Sequence, residues 1–328
     1  MLVQNLLKPE RHKLCLVTKS EAVTFGDLYD RVCRMATQLR PYKKRPVLLI
    51  FHPDDAVGFT VAFYACLMTG AIAVPTPPTN YQTIQKDCEA AAIVTSWTMY
   101  FALFEWSTTF IIERRCGCCV SRAGLDDPEP DDIAFLQYTS GSTSSPRGVV
   151  ISHKALEANI RWVTEQYLGN INDVVSVTWV PFYHDYGLTS ILNINAVGGT
   201  LHYLSPLQFM KDPLSWIRRM SQVRATHTQA PNFAYGLCAR HAALFPPKDI
   251  DLSCVRQFSM GGEIIRRKTM ERFTTTFKVS MEQMDPSYGM AEMVCGIVHC
   301  QGGSGPLEMH GIVNVGTIGK NVEVRIMD

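Results

Sequence analysis

Residues 46–75 read PVLLIFHPDDAVGFTVAFYACLMTGAIAVP and contain a complete strand–helix–strand pattern. The apolar run Pro46–Phe51 is typical of a strand that is covered on both faces. Asp54 and Asp55 suit a helix N-cap, and Gly70 suits the position just after the last helical residue. This stretch therefore predicts a strand, a capped helix and the start of a second strand.

The uncharged segment 56–75 raises the question of whether the chain has a transmembrane helix there. Its twenty residues could span a bilayer by length alone. The capping residues, however, leave a helix of only about fourteen residues from Ala56, which is too short to span. Ala71–Val74 then follows as a short buried strand. We therefore predict a buried helix between two strands and no transmembrane segment.

The same alternation of strands and helices continues along the chain. The helix that opens at Leu214 is marked by Asp212 as N-cap and Pro213 as the first helical residue. Repeated β–α alternation predicts an α/β fold with doubly wound, mostly parallel sheets. The further candidate elements are helices at Gln82–Ala91 and Leu214–Val223 and strands at Ala92–Thr95, Asp173–Val180, Ala225–Gln229 and Val255–Met260.

The composition of the 328 residues limits the classes of function. Thirty-one Lys and Arg residues oppose thirty Asp and Glu residues, so the formal net charge is +1. This balance argues against nucleic acid as a partner, because such binders rely on attraction to phosphates. The eleven cysteines form no framework of a small secreted domain, so we expect reduced thiols and a cytoplasmic location. The cluster Cys116–Cys119 lacks a second Cys/His pair at zinc spacing, so we expect no metal there.

The segment Asp132–His153, DIAFLQYTSGSTSSPRGVVISH, carries the clearest chemical signal. The apolar run Ile133–Tyr138 leads into a loop of hydroxyls and glycine, and the β-branched run Val149–Ile151 leads out. Small residues let backbone N–H groups approach an anion, and hydroxyls with Arg147 add hydrogen bonds to phosphate oxygens. Pro146 and the strand at the exit distinguish the segment from a Walker A loop. The residues alone leave two alternatives open, a phosphate-binding loop and a Ser/Gly-rich hairpin turn.

Four motifs in the expected order resemble those of the adenylate-forming (AMP-binding) superfamily, which includes acyl-CoA synthetases, nonribosomal peptide adenylation domains and luciferases. They are Tyr138–Val149 (YTSGSTSSPRGV), Trp179–Leu188 (WVPFYHDYGL), Met260–Glu263 (MGGE) and Ser287–Glu292 (SYGMAE). The first motif departs at two positions, with Ser144 where the superfamily usually has Gly and Arg147 where it usually has Lys. The resemblance runs from about Glu21 to the C-terminus and implies two stacked αβαβα lobes built on mostly parallel sheets.

Finer details resemble the fatty acyl-AMP ligase branch of this superfamily. These are the FYHDYG sequence, Ala230–Asn232 followed by Phe233–Tyr235, and the PTPP loop at residues 75–78. This likeness implies ATP-dependent activation of a fatty acid carboxylate to an acyl-adenylate, release of pyrophosphate, and transfer to an acyl carrier protein. Only Val298–Val315 separates the SYGMAE strand from the GTIG sequence at 316–319, which is shorter than the insertion typical of this branch. A ligase that uses coenzyme A as acceptor is therefore an alternative.

The resemblance also implies roles for individual residues. ATP and Mg²⁺ are the implied cofactors, with Glu292 and Thr139 as metal ligands. The implied catalytic residues are His184, Arg147 and Thr139. The implied cofactor-binding residues are Thr139, Ser140, Gly141, Ser142, Thr143, Arg147, Gly262, Glu263, Ser287, Tyr288, Gly289 and Met290. The implied substrate-binding residues are Trp179, His184, Asn232, Phe233, Tyr235 and Met260.

The resemblance implies that the chain corresponds to an incomplete large N-terminal domain. We expect two interleaved α/β lobes, one over roughly 45–170 and the other formed by 1–44 together with 171–328. The superfamily carries its catalytic lysine in a small C-terminal domain, and the chain ends at Asp328 before that domain. A non-catalytic module that binds nucleotide and acyl groups is therefore a further alternative.

Overall fold

The computed structural model describes residues 10–79, 81–103, 109–112, 127–139, 147–168, 173–299, 308–309, 311–318, 323 and 325. In chain order, the strands are β1 (Leu14–Val17), β2 (Ala22–Thr24), β3 (Pro46–Leu49), β4 (Ile72–Pro75), β5 (Ala92–Thr95), β6 (Phe110–Ile112), β7 (Ile133–Thr139), β8 (Arg147–Ser152), β9 (Val175–Thr178), β10 (Thr200–Tyr203), β11 (His227–Ala230), β12 (Gln257–Met260), β13 (Met284–Gly289), β14 (Gly296–His299), β15 (Glu308–Met309), β16 (Ile312–Val313) and β17 (Thr317–Ile318). The α-helices are α1 (Phe25–Leu39), α2 (Ala56–Thr69), α3 (Tyr81–Asp87), α4 (Trp97–Leu103), α5 (His153–Val163), α6 (Asp185–Ala196), α7 (Pro206–Lys211), α8 (Leu214–Gln222), α9 (Asn232–Leu244) and α10 (Arg267–Phe277). Shorter helical turns occupy Arg40–Tyr42, Thr164–Leu168, Met281–Gln283 and Ala291–Met293.

The predicted strand–helix–strand unit at 46–75 is confirmed, because β3, α2 and β4 follow one another there and the two strands pair in parallel. The Asp55 carboxylate accepts the N–H of Gly58 at 3.0 Å, as an N-cap should. Gly70 ends the helix in the left-handed region, with φ of 72°. All fourteen residues of α2 are buried. In the described part of the chain, every helix falls short of the length and apolarity that a bilayer crossing would need.

Two large sheets organise the described residues. The six-stranded sheet has the order β6-β5-β3-β4-β7-β8, with only β8 antiparallel to its neighbour. The nine-stranded sheet has the order β17-β14-β13-β12-β11-β9-β10-β1-β2, and its central run from β13 to β1 is parallel. Antiparallel strands close both of its edges. Because β1 and β2 join strands from the second half of the chain, the N-terminal segment belongs to the nine-stranded sheet.

Three apolar clusters fill the spaces between the layers. Helices α1, α2 and α6 lie between the two sheets, where Leu201 of one sheet and Phe135 of the other share a single core. Helices α3 and α4 cover the outer face of the six-stranded sheet, around Ile93. Helices α8, α9 and α10 cover the outer face of the nine-stranded sheet, around Trp216 and Phe258. The resulting five layers confirm the predicted αβαβα arrangement, whereas the division into two lobes stays a prediction.

Two element boundaries differ from the sequence-based expectation. Helix α8 begins at Leu214 with Pro213 as its capping residue, and the Asp212 carboxylate pairs with Arg218 instead of capping the helix. The helix expected over Gln82–Ala91 ends at Asp87, because Glu89 adopts a left-handed backbone with φ of 50°. The first difference arises from competition for the Asp212 carboxylate and the second from the backbone conformation at Glu89, and helix periodicity captures neither.

The described cysteines are all free thiols, and most are buried. They are Cys15, Cys33, Cys66, Cys88, Cys238, Cys254 and Cys295. Burial raises the pKa of the Cys15 thiol to about 12, so this thiol is unreactive near neutral pH. The Cys116–Cys119 cluster lies outside the described residues.

Candidate active site

A cavity of about 230 Å³ opens at the carboxyl ends of the central strands of the nine-stranded sheet and continues along the sheet face that meets α6. Its mouth is formed by His184, the Gly261–Gly262 turn and Ser287–Gly289. The carboxyl ends of parallel strands are the usual place for ligands in doubly wound folds. The mouth brings together residues from three of the four motifs that the sequence singled out.

The turn after β12 presents an open backbone surface to the cavity. Gly262 has φ of +77°, and a Cβ atom added there would meet nothing within 4 Å. A Cβ at Gly261 would lie 3.0 Å from Ser287 Oγ, so the turn and β13 approach each other closely. Ser287 fixes this approach by donating from its hydroxyl to the Met260 carbonyl at 3.0 Å. The half-exposed ring of Tyr288 lies beside the turn and leaves a face for a planar group.

Helix α9 braces the same turn through two reciprocal contacts. The Glu263 carboxylate accepts the Phe233 N–H at 2.6 Å, at the start of α9. The Asn232 side-chain oxygen accepts the Arg266 N–H at 3.1 Å, and Asn232 is buried. These contacts favour a positioning role for both side chains, whereas the sequence predicts Asn232 as a substrate contact.

Replacing Asn232 by alanine is expected to lower the free energy of unfolding by about 1–3 kcal/mol, because the Arg266 N–H loses its acceptor. Urea unfolding measures this change. Asn232→Asp keeps an acceptor oxygen and is the matched control, so it should lie closer to the wild type. A change in acyl-chain selectivity without a loss of stability would instead support the predicted substrate contact.

His184 immediately precedes helix α6 and pairs with the next residue. Its Nδ1 lies 2.6 Å from the Asp185 Oδ1, and the Tyr186 N–H donates to the same carboxylate oxygen at 2.6 Å. The hydrogen bond to Asp185 raises the pKa of His184 above its ordinary value of 6.5, although burial partly opposes this. The His184 side chain remains more than half exposed at the cavity mouth. A protonated imidazole here can donate to an anionic oxygen of a ligand.

Substituting Asp185 by asparagine is expected to make the free energy of unfolding less dependent on pH. The raised pKa of His184 means that its contribution to stability is present below the unfolded-state pKa and is lost as pH rises through the folded-state pKa. The stability difference between wild type and Asp185→Asn should therefore be larger near about pH 5.5 than near about pH 9. Urea unfolding at both pH values measures it, and equal differences would contradict the pairing.

The β7–β8 hairpin carries the residues that the sequence analysis predicts for phosphate binding. Thr139 and Arg147 are cross-strand partners at its loop end, and the connecting residues Ser140–Pro146 lie outside the described residues. Gln137 on β7 donates to the Tyr183 carbonyl at 3.0 Å, which ties the hairpin to the segment before His184. The hairpin arrangement confirms the predicted entry and exit strands, and a phosphate-binding role of the loop stays a prediction.

Glu292 lies in the short helical turn Ala291–Met293, which packs against β8. The amide of Asn159 holds this turn by donating to the carbonyls of Met293 at 3.1 Å and Gly296 at 3.2 Å. The Glu292 carboxylate is exposed, on the turn that adjoins the strand of Arg147. Such a site fits Mg²⁺, which takes one or two carboxylates and completes its coordination with phosphates and water. Among the described residues, no cluster of three or more His, Cys, Asp or Glu side chains could hold a metal by itself.

Several predicted substrate residues lie on the opposite face of the sheet from the cavity. Trp179 and Met260 belong to the outer apolar core with α8–α10, and Trp179 stacks on Phe209 with ring centroids 3.9 Å apart. Tyr235 is fully buried there and donates to the Ser259 carbonyl at 2.7 Å. Phe233 is partly exposed and contacts the edge of Trp179. Of the predicted substrate residues, His184 lines the cavity.

The cavity wall contains residues that the sequence analysis did not single out. On the sheet these are His227, Gln229, Gln257 and Ser259, and on α6 they include Asn193. The sequence does contain a signal for these residues. In the strands His227–Ala230 (HTQA) and Gln257–Met260 (QFSM), the odd-numbered positions are polar or amphipathic. A period of two places these residues on one face of the sheet.

Known proteins with similar sequences identify the family of this chain. A family model described as AMP-binding enzyme matches residues 4–328. The chain is 31% identical over 295 residues to the medium-chain-fatty-acid–acyl-carrier-protein ligase JamA of Moorena producens, covering 83% of this chain and 50% of that protein. It is 29% identical over 319 residues to a long-chain-fatty-acid–AMP ligase of Mycobacterium marinum, covering 88% of this chain and 53% of that protein.

Solved structures agree with these sequence matches. The fatty acyl-adenylate ligase from L. pneumophila in complex with acyl adenylate and pyrophosphate superposes with a TM-score of 0.83 at 27% identity. The match covers 93% of this chain and 58% of that one. The chain thus spans about half the length of the curated relatives it matches.

Proposed function

The chain belongs to the AMP-binding enzyme family, and from this premise we propose that it activates a fatty acid with ATP. The product is an acyl-adenylate, pyrophosphate is released, and an acyl carrier protein accepts the acyl group. The observation that carries the proposal is a cavity that joins the Gly261–Gly262 turn, Tyr288 and His184 to the polar face of the nine-stranded sheet. The relatives named for fatty acid–AMP and acyl-carrier-protein ligation support this substrate class.

The proposed nucleotide site uses the mouth of the cavity. The adenine ring would lie between the Tyr288 ring and the backbone of Gly262 and Glu263, with Ser287, Gly289 and Met290 shaping the strand end. The open space at Gly262 fits a flat ring at this place. The phosphates would extend toward the β7–β8 hairpin, where the predicted residues are Thr139, Ser140, Gly141, Ser142, Thr143 and Arg147.

The proposed reaction requires two anions to meet. A carboxylate oxygen of the acid forms a bond to the α-phosphorus, and the bond from that phosphorus to the bridging oxygen of pyrophosphate breaks. The protein therefore has to position the reactants and neutralise developing charge. Arg147 contributes a fixed positive charge, and His184 in its protonated form donates to an oxygen of the reacting groups. A bound Mg²⁺ would supply further charge neutralisation, held by Glu292 and Thr139.

Acid-dependent exchange of labelled pyrophosphate into ATP tests the proposal. We expect exchange with medium- or long-chain fatty acids and none without acid. Adding either a carrier protein with its phosphopantetheine arm or free coenzyme A then identifies the acceptor, and thioester formation with coenzyme A alone would replace carrier transfer. Binding of ATP and acid without exchange would support a non-catalytic module, and absence of both would overturn the proposal.

A further inference from the structure

The nine-stranded sheet has two faces of opposite character where it borders the cavity. Register places Ser176, His227 and Gln257 in one row across β9, β11 and β12. The next row along the strands contains Gln229, Ser259 and Asp285. The alternating positions on the other face, such as Val177 and Phe258, pack in the apolar core with α8–α10. The cavity therefore has a polar wall on the sheet side.

A wall of polar side chains inside a protein has a cost unless partners satisfy them. Much of this wall is satisfied internally. Gln229 donates to the Tyr186 carbonyl, Gln257 donates to the Asp285 carboxylate at 2.5 Å, and Tyr186 bonds to Ser259. The first row, farthest from the mouth, differs because part of its hydrogen-bonding capacity faces the cavity.

His227 lies in this far row, and its Nδ1 is engaged by the neighbouring Thr226 side chain. Thr226 Oγ1 accepts the Val175 N–H at 3.0 Å and lies 3.0 Å from the Val175 carbonyl and 2.8 Å from His227 Nδ1. The Val175 carbonyl also accepts the Thr226 N–H at 2.8 Å, so the contact between Thr226 Oγ1 and His227 Nδ1 can use the proton of either group. Burial lowers the pKa of His227 to about 4, so the ring is neutral, and Nε2 offers a ligand one donor or one acceptor according to the tautomer.

Asn193 on α6 provides the second polar group at the cavity wall. It is only 8% exposed, and its side-chain oxygen has no hydrogen-bond partner among the described residues. The hydroxyls of Thr189 and Ser190, which also line the cavity, donate to carbonyls of their own helix and cannot satisfy it. An amide that can rotate offers a donor or an acceptor to a ligand.

The helix side of the same cavity is partly apolar, with Val163, Leu168 and Ile194 in its lining. An alkyl chain would contact these side chains, while a hydroxyl at its end, which can donate or accept, would pair with His227 Nε2 and with the Asn193 amide. The carboxylate end of the acid would lie at the mouth, near His184. The level of the mouth along β12 is given by Gly261, which is four residues beyond Gln257 in the far row, or roughly 13 Å at the strand rise. That distance corresponds to roughly ten carbon atoms of an extended zigzag chain, in which each C–C bond of about 1.5 Å advances the chain by somewhat less than its own length.

We infer that this cavity selects medium-length acids that carry a hydroxyl group at or near the far end of the acyl chain, with Asn193 and His227 as the specificity-determining residues. The inference rests on the proposed acid-activating function and specifies its substrate class. A plain alkyl chain would leave the two buried polar groups without partners, which is the situation that gives hydrogen-bonding pockets their selectivity.

Binding of two matched ligands tests the inference. The ligands are the non-hydrolysable sulfamoyl-adenosine analogues of decanoic acid and of 10-hydroxydecanoic acid, titrated into the full chain by calorimetry. We expect the hydroxylated analogue to bind at least about tenfold more tightly. Equal affinity, or tighter binding of the plain analogue, would overturn the inference and leave the proposed function intact. Failure of both analogues to bind would instead contradict the proposed function.

Variants of the two residues separate selectivity from general damage. Asn193→Leu and His227→Phe should each reduce the tenfold preference to less than about threefold, with binding of the plain analogue retained or improved. The matched control is His202→Phe, because His202 is a half-buried histidine of the same sheet whose side chain pairs with Arg219 outside the cavity. It should keep the preference. An undiminished preference in both cavity variants would overturn the assignment of Asn193 and His227. Thermal unfolding identifies a variant that fails to fold, and the other variant then decides.

Discussion

Glu292→Gln is expected to weaken Mg²⁺-dependent binding of ATP at least about tenfold, while the thermal unfolding temperature stays within a degree or two of the wild type. The reason is that the substitution removes a negative charge from the proposed metal position and changes neither size nor burial. The carboxylate is exposed in its turn, so its loss leaves no buried group unpaired. Calorimetric titration of ATP with Mg²⁺ and with excess chelator measures the effect.

Glu282→Gln is the matched control for this prediction. Glu282 is also an exposed carboxylate in a short helical turn, Met281–Gln283, and its backbone N–H is capped by Ser280. The Glu282→Gln substitution changes the net charge by the same amount as Glu292→Gln, at a place away from the β7–β8 hairpin. Equal dependence on Mg²⁺ in wild type and Glu292→Gln, or an equal loss in both variants, would contradict a metal role for Glu292.

Gly289→Ala is expected to destabilise the fold by about 3 kcal/mol or more. A Cβ atom at this position would lie 1.9 Å from the Cys295 carbonyl oxygen, which is a backbone atom and cannot rotate away. Relief requires β13 and β14 to separate at the irregular register between Tyr288 and Gly289. Because Tyr288 borders the proposed adenine position, nucleotide binding should fall with the stability.

The comparison for this variant is Gly236→Ala in helix α9. The nearest atoms to a Cβ there are 3.5 Å away, one of them at the flexible end of Arg240. Alanine in a helix interior is favoured over glycine by roughly 1 kcal/mol, so this change should be neutral or stabilising. Thermal and urea unfolding of both variants measure the contrast, and similar stability of Gly289→Ala and wild type would contradict the close approach of the Cys295 carbonyl.

Local chemistry was sufficient to predict the elements that carry their own boundary signals. The Asp55 cap and Gly70 fixed both ends of α2, because each acts within one turn of the helix. The start of α8 shows the limit of such signals. Asp212 is a good N-cap residue by type, yet its carboxylate pairs with Arg218, a partner that lies six residues away. Competition for one side chain is decided by the packed structure.

The candidate site was predictable where a motif coincides with a strand end. His184, Gly262 and Tyr288 were singled out because their motifs resemble those of the adenylate-forming superfamily, and all three line the cavity. The acyl side was harder to infer, since Met260 and Ser259 are neighbours in sequence but point to opposite faces of the sheet. Which face borders a cavity depends on the helices that cover it, and those contacts are long-range.

The position of helix α2 early in the chain has a consequence for folding during translation. Its residues are apolar on every side and are covered only when both sheets have formed. The Tyr64 hydroxyl accepts its hydrogen bond from Asn195, 131 residues later in the chain. At translation rates of 5–20 residues per second, the nascent helix waits roughly 7 to 26 s for that partner. Throughout this interval the apolar surface of α2 is exposed to solvent and can aggregate. The yield of recombinant protein should therefore depend on the supply of chaperones that bind unfolded chains, and not only on the stability of the folded protein.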